Sequence, residues 1–223
     1  IPLSGADLQM MSFKLGNKKT KWIPYSQLSQ YSNIESLFGV DRSTGEHKFN
    51  TVFILLQILN EGDKPQIGHW VSLSFDGSNV LNYYDPYGLS VEEDISVTGE
   101  SNLLPKLLSG YSLDINTHQH QSLRQNQNEC GRHTVVRSIF HFMNNNQYNS
   151  VVMSLIKSKQ VSNPDVLVSL LTAFLSKSDE VVKIFFKQKV GIDASSTSNS
   201  SNSAGRIRMP RIPRSRGLGG RVV

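Results

Sequence analysis

At 223 residues the chain is long enough for one domain with a real core, and its 38% hydrophobic content leaves part of the sequence outside that core. No run approaches the ~18 consecutive apolar residues of a membrane span. A single cysteine excludes an internal disulfide and a multi-cysteine zinc site, and argues for a reducing compartment. The net charge of +5 belongs to one end: Arg206, Arg208, Arg211, Arg214, Arg216 and Arg221 follow Gly205 with no acid among them, which leaves the rest of the chain at −1.

The opening Ile1-Pro2-Leu3-Ser4 has neither an initiator methionine nor a signal-peptide pattern, as expected of a fragment or a processed product. Residues 4–11 have a cap-like start and predict a short helix. Residues 33–39 read as a brief helix that Gly39 ends. The apolar run over 50–59 (Val52, Phe53, Ile54, Leu55, Leu56, Ile58) predicts a strand buried on both faces, although a helix fits the same run. Alternation over 67–75 predicts a second strand. Asp76-Gly77-Ser78-Asn79 is a hairpin turn signal, and 80–84 is the return strand.

Beyond Pro86 the chain reads as mostly helical. Helices are expected over 100–108, 129–143, 148–156, 164–175 and 179–186, with one further strand over 113–121. Pro164 fits the first turn of its helix, with Ser162 or Asn163 as cap. Residues 193–203 are mostly Ser, Asn and Thr, too polar to form a core, and read as a flexible linker. The spaced arginines that follow are kept extended by prolines and suit DNA or an acidic protein groove; a solubilising end is the plainer reading. The body is therefore α+β over 1–190, followed by a linker and basic tail over 191–223.

Cys130 lies where an apolar helical period begins, so its thiol is expected at a helix N-terminus, where unpaired N–H groups favour an anion. A lone cysteine there also packs simply as a small hydrophobe. Gly131 leaves room for a substrate backbone. His69 opens one strand of the hairpin and Asp85 ends the other, so both lie at its open end. Asp85 can then orient His69, and a base, an acid and a thiol make a nucleophile constellation. Alone, Asp85 is equally a turn residue before Pro86, and Trp70 either covers the imidazole or fills core. Gln125 and Gln127 are both candidates to stabilise an oxyanion beside the Cys130 N–H, in a loop rich in amides. His118, His120, His133 and His141 read as structural. No metal-site or cofactor fingerprint is present, and no cofactor is expected.

Gly68-His69-Trp70-Val71, Tyr84-Asp85-Pro86-Tyr87-Gly88 and Gln127-Asn128-Glu129-Cys130-Gly131, in that order, resemble the adenovirus endoprotease and SUMO-protease clan of cysteine proteases. The resemblance spans roughly residues 50–143. It implies a papain-like core of the adenovirus endoprotease type: a small mixed sheet flanked by helices, with a helical C-terminal half. It also implies Cys130 as nucleophile, His69 as general base and Asp85 as orienting acid. The clan's oxyanion glutamine usually precedes the cysteine by six or seven residues. Here the sixth before is Arg124, so Gln127 is the candidate, by resemblance to a large-DNA-virus member, with Gln125 second.

The compact helical remainder and basic tail look like a maturation protease of a virophage or related large DNA virus. That would act in the virion and the viral factory of the host cytoplasm, on capsid or core precursors, at glycine-containing sites. Gly220-Arg221 in the tail is a conceivable self-cleavage site, though a flexible glycine end is the simpler account. Two other readings stand beside it. One is a ubiquitin- or SUMO-type isopeptidase with the same triad. The other is a non-catalytic DNA-binding virion protein that works through its tail.

Overall fold

A computed structural model describes residues 3–58, 67–75, 80–123 and 129–173. The expected hairpin turn at 76–79, Arg124, Gln125, Gln127, the helix over 179–186, the linker and the arginine tail lie outside the described residues.

The fold is α+β. Five strands form one mixed sheet in chain order: β1 (Thr20–Pro24), β2 (Thr51–Ile58), β3 (Ile67–Phe75), β4 (Leu81–Tyr84) and β5 (Leu113–Ile115). The central β2–β3 and β3–β4 pairs are antiparallel, and the edge strands β1 and β5 join in parallel. Strand β2 is buried on both faces, as its continuous apolar run predicts. Phe53 joins one hydrophobic cluster, while Val52, Ile54 and Leu56 join the other, because successive side chains point to opposite faces.

Over the Phe53 face pack α1 (Gly5–Lys14), α5 (Cys130–Ile139), α6 (Asn145–Lys159) and α7 (Pro164–Ala173). A 3-10 helix (Tyr25–Gln30), α2 (Ile34–Phe38), α3 (Val91–Thr98) and α4 (Leu103–Leu108) supply the other face. No helix among the described residues is long and apolar enough to cross a membrane.

Several ends follow local chemistry. Ser4 caps α1 reciprocally with Asp7, and Asn33 caps α2 with Ser36. Gly39 then ends α2 at φ +64°, a conformation costly for a side chain. Asn163, not Ser162, caps α7, its Oδ1 accepting from the Val166 N–H at 3.0 Å.

Several elements differ from the sequence reading: the 3-10 helix and α3 were not expected, α5 ends at Ile139 rather than at residue 143, and α6 runs over Asn145–Lys159 rather than 148–156. Three more differences involve contacts distant in the chain. Helix α4 starts at Leu103 rather than at residue 100. The Tyr25 hydroxyl accepts from the Leu104 N–H, and Glu100 turns away to accept from the Gln57 N–H. Strand β5 ends at Ile115 rather than at residue 121. The Asn116 N–H makes the last ladder bond, to the Tyr83 carbonyl, and the His120 and Gln121 N–H groups then donate to the Pro86 carbonyl beyond the end of β4. Strand β1, absent from the reading, is added in parallel beside β2.

Arg137 holds the end of α5. It is almost fully buried, with its guanidinium donating to the Phe140 and Met143 carbonyls at 2.5 and 2.7 Å and lying 5.0 Å from the Tyr148 ring centre. Phe140 is the C-cap of α5 and Met143 lies in the turn beyond it, and a cation suits a helix C-terminus. Arg137→Ala would remove both bonds and the one to Asn145, and leave a cavity in the core. We expect a loss of about 3 kcal/mol or more, read as a lower urea midpoint with little change in slope.

Candidate active site

Strand β3 pairs with β4 only from Ser72 onward, so His69 extends three residues past the end of β4. Asp85 directly follows β4 and meets His69 there. Its Oδ1 lies 2.5 Å from His69 Nε2, a short contact between two buried groups. The expected neighbourhood of His69 and Asp85 is thus present, though the two strands are offset rather than directly opposed.

The Asp85 turn is held from several sides. The Gly88 N–H donates to the Asp85 carbonyl at 3.0 Å, closing a turn. Gly88 adopts φ +80°, and a Cβ there would press on the His118 and Gln119 backbone at 3.0–3.2 Å. The Asn116 side chain donates to the Asp85 carbonyl at 2.6 Å, and the His120 and Gln121 N–H groups donate to the Pro86 carbonyl. The Leu89 N–H donates to Asp85 Oδ2 at 2.9 Å, which fixes the carboxylate plane.

Cys130 is the first residue of α5 and is buried. Glu129 precedes it, and its side chain turns away to Arg132 and Ser169 rather than capping the helix. Cys130 is near enough to His69 to act on its imidazole. Burial opposes a charge on the imidazole. Asp85 and then Cys130 outweigh it, pushing the His69 pKa up to about 10. The arrangement brings together an acid, an imidazole and a thiol, with the imidazolium as its favoured charged form.

Gly131 serves packing rather than access. A Cβ on it would meet Leu8, Trp70 and Leu3 at 3.2–3.4 Å, so the glycine lets α1 close against α5. Trp70 fills core and does not cover the imidazole; its indole N–H donates to the Leu3 carbonyl at 3.0 Å. The residue stacked on His69 is Tyr87, ring centres 5.1 Å apart, its hydroxyl accepting from Gln121 Nε2 at 3.0 Å. Burial first, then the nearby Cys130, Asp85 and Asp165 charges, push Tyr87 up to about 12, so its hydroxyl keeps its proton. Sequence reading missed Tyr87, though its place two residues after Asp85 was a usable signal.

It also missed Asp94. This carboxylate lies on the buried face of α3 with Val91 and Thr98, accepts from the Tyr83 hydroxyl at 2.5 Å, and places Oδ1 3.8 Å from His69 Nε2. An acid at an apolar helical position (91, 94, 98) was the available clue. His69, Asp85 and Asp94 offer ligand atoms within 4.8 Å of one another, the one such metal-type grouping among the described residues. The His69–Asp85 approach at 2.5 Å fits a shared proton better than a common ion, whose tetrahedral ligands would sit about 3.4 Å apart.

The remaining histidines support structure. His133 pairs with Asp165 at 2.9 Å, and Asp165 also accepts from the Ser122 N–H, tying α5 to the preceding loop and to α7. His120 bonds to Tyr84 and Asn149, and burial lowers its pKa to about 4. His141 bonds to Asn50. His118 bonds to Asn146 and stacks on His120 from a loop, not on a strand face. A polar hollow of about 260 Å³ lies between residues 119–122 and the start of α7. Its lining includes Gln121, whose amide donates to the Tyr87 hydroxyl beside His69.

The chain matches no protein-family model and no curated protein.

Proposed function

We propose that the protein is a cysteine endopeptidase, with Cys130 as nucleophile, His69 as general base and then acid, and Asp85 as orienting carboxylate. The reading rests on one observation: a buried Asp85–His69 pair beside the chain's only thiol, which lies at the first residue of a helix. The thiolate attacks the scissile carbonyl, and the imidazolium gives its proton to the leaving amine. His69 then takes a proton from the water that hydrolyses the acyl-enzyme. The Cys130 backbone N–H, free of an intrahelical partner at that position, would face the oxyanion with the amide of Gln127, or of Gln125 as second candidate.

Nucleophile helix on one side, base and acid on the sheet on the other, is the division of a papain-like core, and we read the fold as that type. The substrate reading, viral capsid or core precursors cut at glycine-containing sites during virion maturation, rests on the motif resemblance. DNA contact through the arginine tail rests on its charge.

The test is to incubate the full chain with the capsid precursor of the cognate virus and to identify new termini by mass spectrometry. New ends at glycine-containing sites are expected. Release of an intact modifier from a ubiquitin-like conjugate, with the precursor left whole, would replace the endopeptidase with an isopeptidase.

A further inference from the structure

We propose that Asp94 is a positioning residue of the triad: a second carboxylate that, with Asp85, holds His69 in its charged form. The proposal rests on the reading of Cys130, His69 and Asp85 as a catalytic line. Two carboxylates face one ring nitrogen here. Asp85 Oδ1 is 2.5 Å from His69 Nε2 and Asp94 Oδ1 is 3.8 Å from it. Asp94 is 2% exposed, and its other oxygen takes the Tyr83 hydroxyl at 2.5 Å. No substrate-facing role is available to so buried a group, yet its charge lies within direct reach of the imidazole.

The ionisable groups facing Asp94 are His69 from β3, Tyr83 from β4, Asp85 from the turn beyond β4, and Glu93 from its own helix. Tyr25 of the 3-10 helix lies behind Tyr83, and Cys130 of α5 lies beyond the imidazole. Strand β2 brings no ionisable side chain, and Lys106 of α4 is exposed. His69 is thus the base among these neighbours.

Burial first, and then the charge on Asp85, push Asp94 up to about 7, against the pull of His69 and Tyr83. Below that pH Asp94 holds its proton and the site carries one carboxylate charge. Above it Asp94 ionises and adds its attraction to the imidazolium. The second charge is therefore in place well before rising pH strips the imidazole proton, and it extends the alkaline range of the imidazolium.

The test uses the full chain and needs no substrate. Iodoacetamide alkylation of Cys130, followed by intact mass from about pH 5 to about pH 10, reports one thiol because the chain has one cysteine. The upper inflection of that profile marks loss of the imidazolium proton. In Asp94→Asn, which keeps an acceptor for Tyr83, it should fall by about one pH unit. Asp94→Ser, which removes the charge and keeps a hydroxyl for Tyr83, should move it the same way. An upper inflection unchanged in whichever of these variants gives a parental thermal melt overturns the proposal. A purely structural Tyr83–Asp94 bond would lower the melt and leave the inflection in place. If the inflection moves but the parent chain cleaves no precursor, Asp94 keeps its role and the peptidase reading falls. If precursors are cleaved and the inflection stays, the reverse holds.

Discussion

Cys130→Ala is expected to lose at least about 10³-fold in kcat/KM on a glycine-site peptide. It should stay within about 1 kcal/mol of the parent chain in urea unfolding. Activity falls because every bond-making step needs the sulfur, and no other thiol can substitute in a chain with one cysteine. Stability is nearly kept because only one small atom leaves a site packed by Leu8 and Trp70. Peptidase activity retained by a folded Cys130→Ala chain would sink the nucleophile assignment.

Asp85→Asn should cost about 10²–10⁴-fold in kcat while leaving KM much less changed. Its cause lies in the partners of the two carboxylate oxygens. Oδ2 takes the Leu89 N–H and Oδ1 faces His69 Nε2. An asparagine must keep its oxygen toward the Leu89 donor, so its NH2 points at His69. The imidazole then needs a bare Nε2 and carries its proton on Nδ1, so the nitrogen not held by residue 85 can no longer accept the thiol proton. The substitution also removes a charge that helps hold the His69 pKa near 10. The alkaline limb of activity, where the imidazolium is lost as pH rises, should therefore move to lower pH. Steady-state kinetics across pH separate the outcomes; an unaltered kcat and limb would show that Asp85 is only a turn residue.

What could be read from residues alone was whatever short-range pattern encodes. The continuous run of β2 announced a strand with two buried faces, and alternation marked β3 and β4 almost to the residue. Ser4, Asn33 and Gly39 marked helix ends through their own side chains or lack of one. The candidate residues His69, Asp85 and Cys130 came from the same kind of evidence: hairpin geometry brings the first two together, and a helical period starts at the third. Helix α3 was missed, although Ser90 and Glu93 form a reciprocal cap and Gly99 ends it in the left-handed region.

Contacts between residues far apart in the chain decided the rest. Asn116 ends β5 because its side chain holds the Asp85 carbonyl, and Tyr25 sets the start of α4 from nearly eighty residues away. Tyr87 lies over the imidazole and Asp94 approaches it from another helix; Arg137, a residue type normally at the surface, ends buried because helix-end carbonyls surround it. Periodicity carries no information about such pairings. A side chain's charge and partners are set by whatever the fold brings beside it, so sequence pattern could nominate the acid, the base and the thiol. Only the tertiary structure put two carboxylates at one imidazole and gave that imidazole its charge.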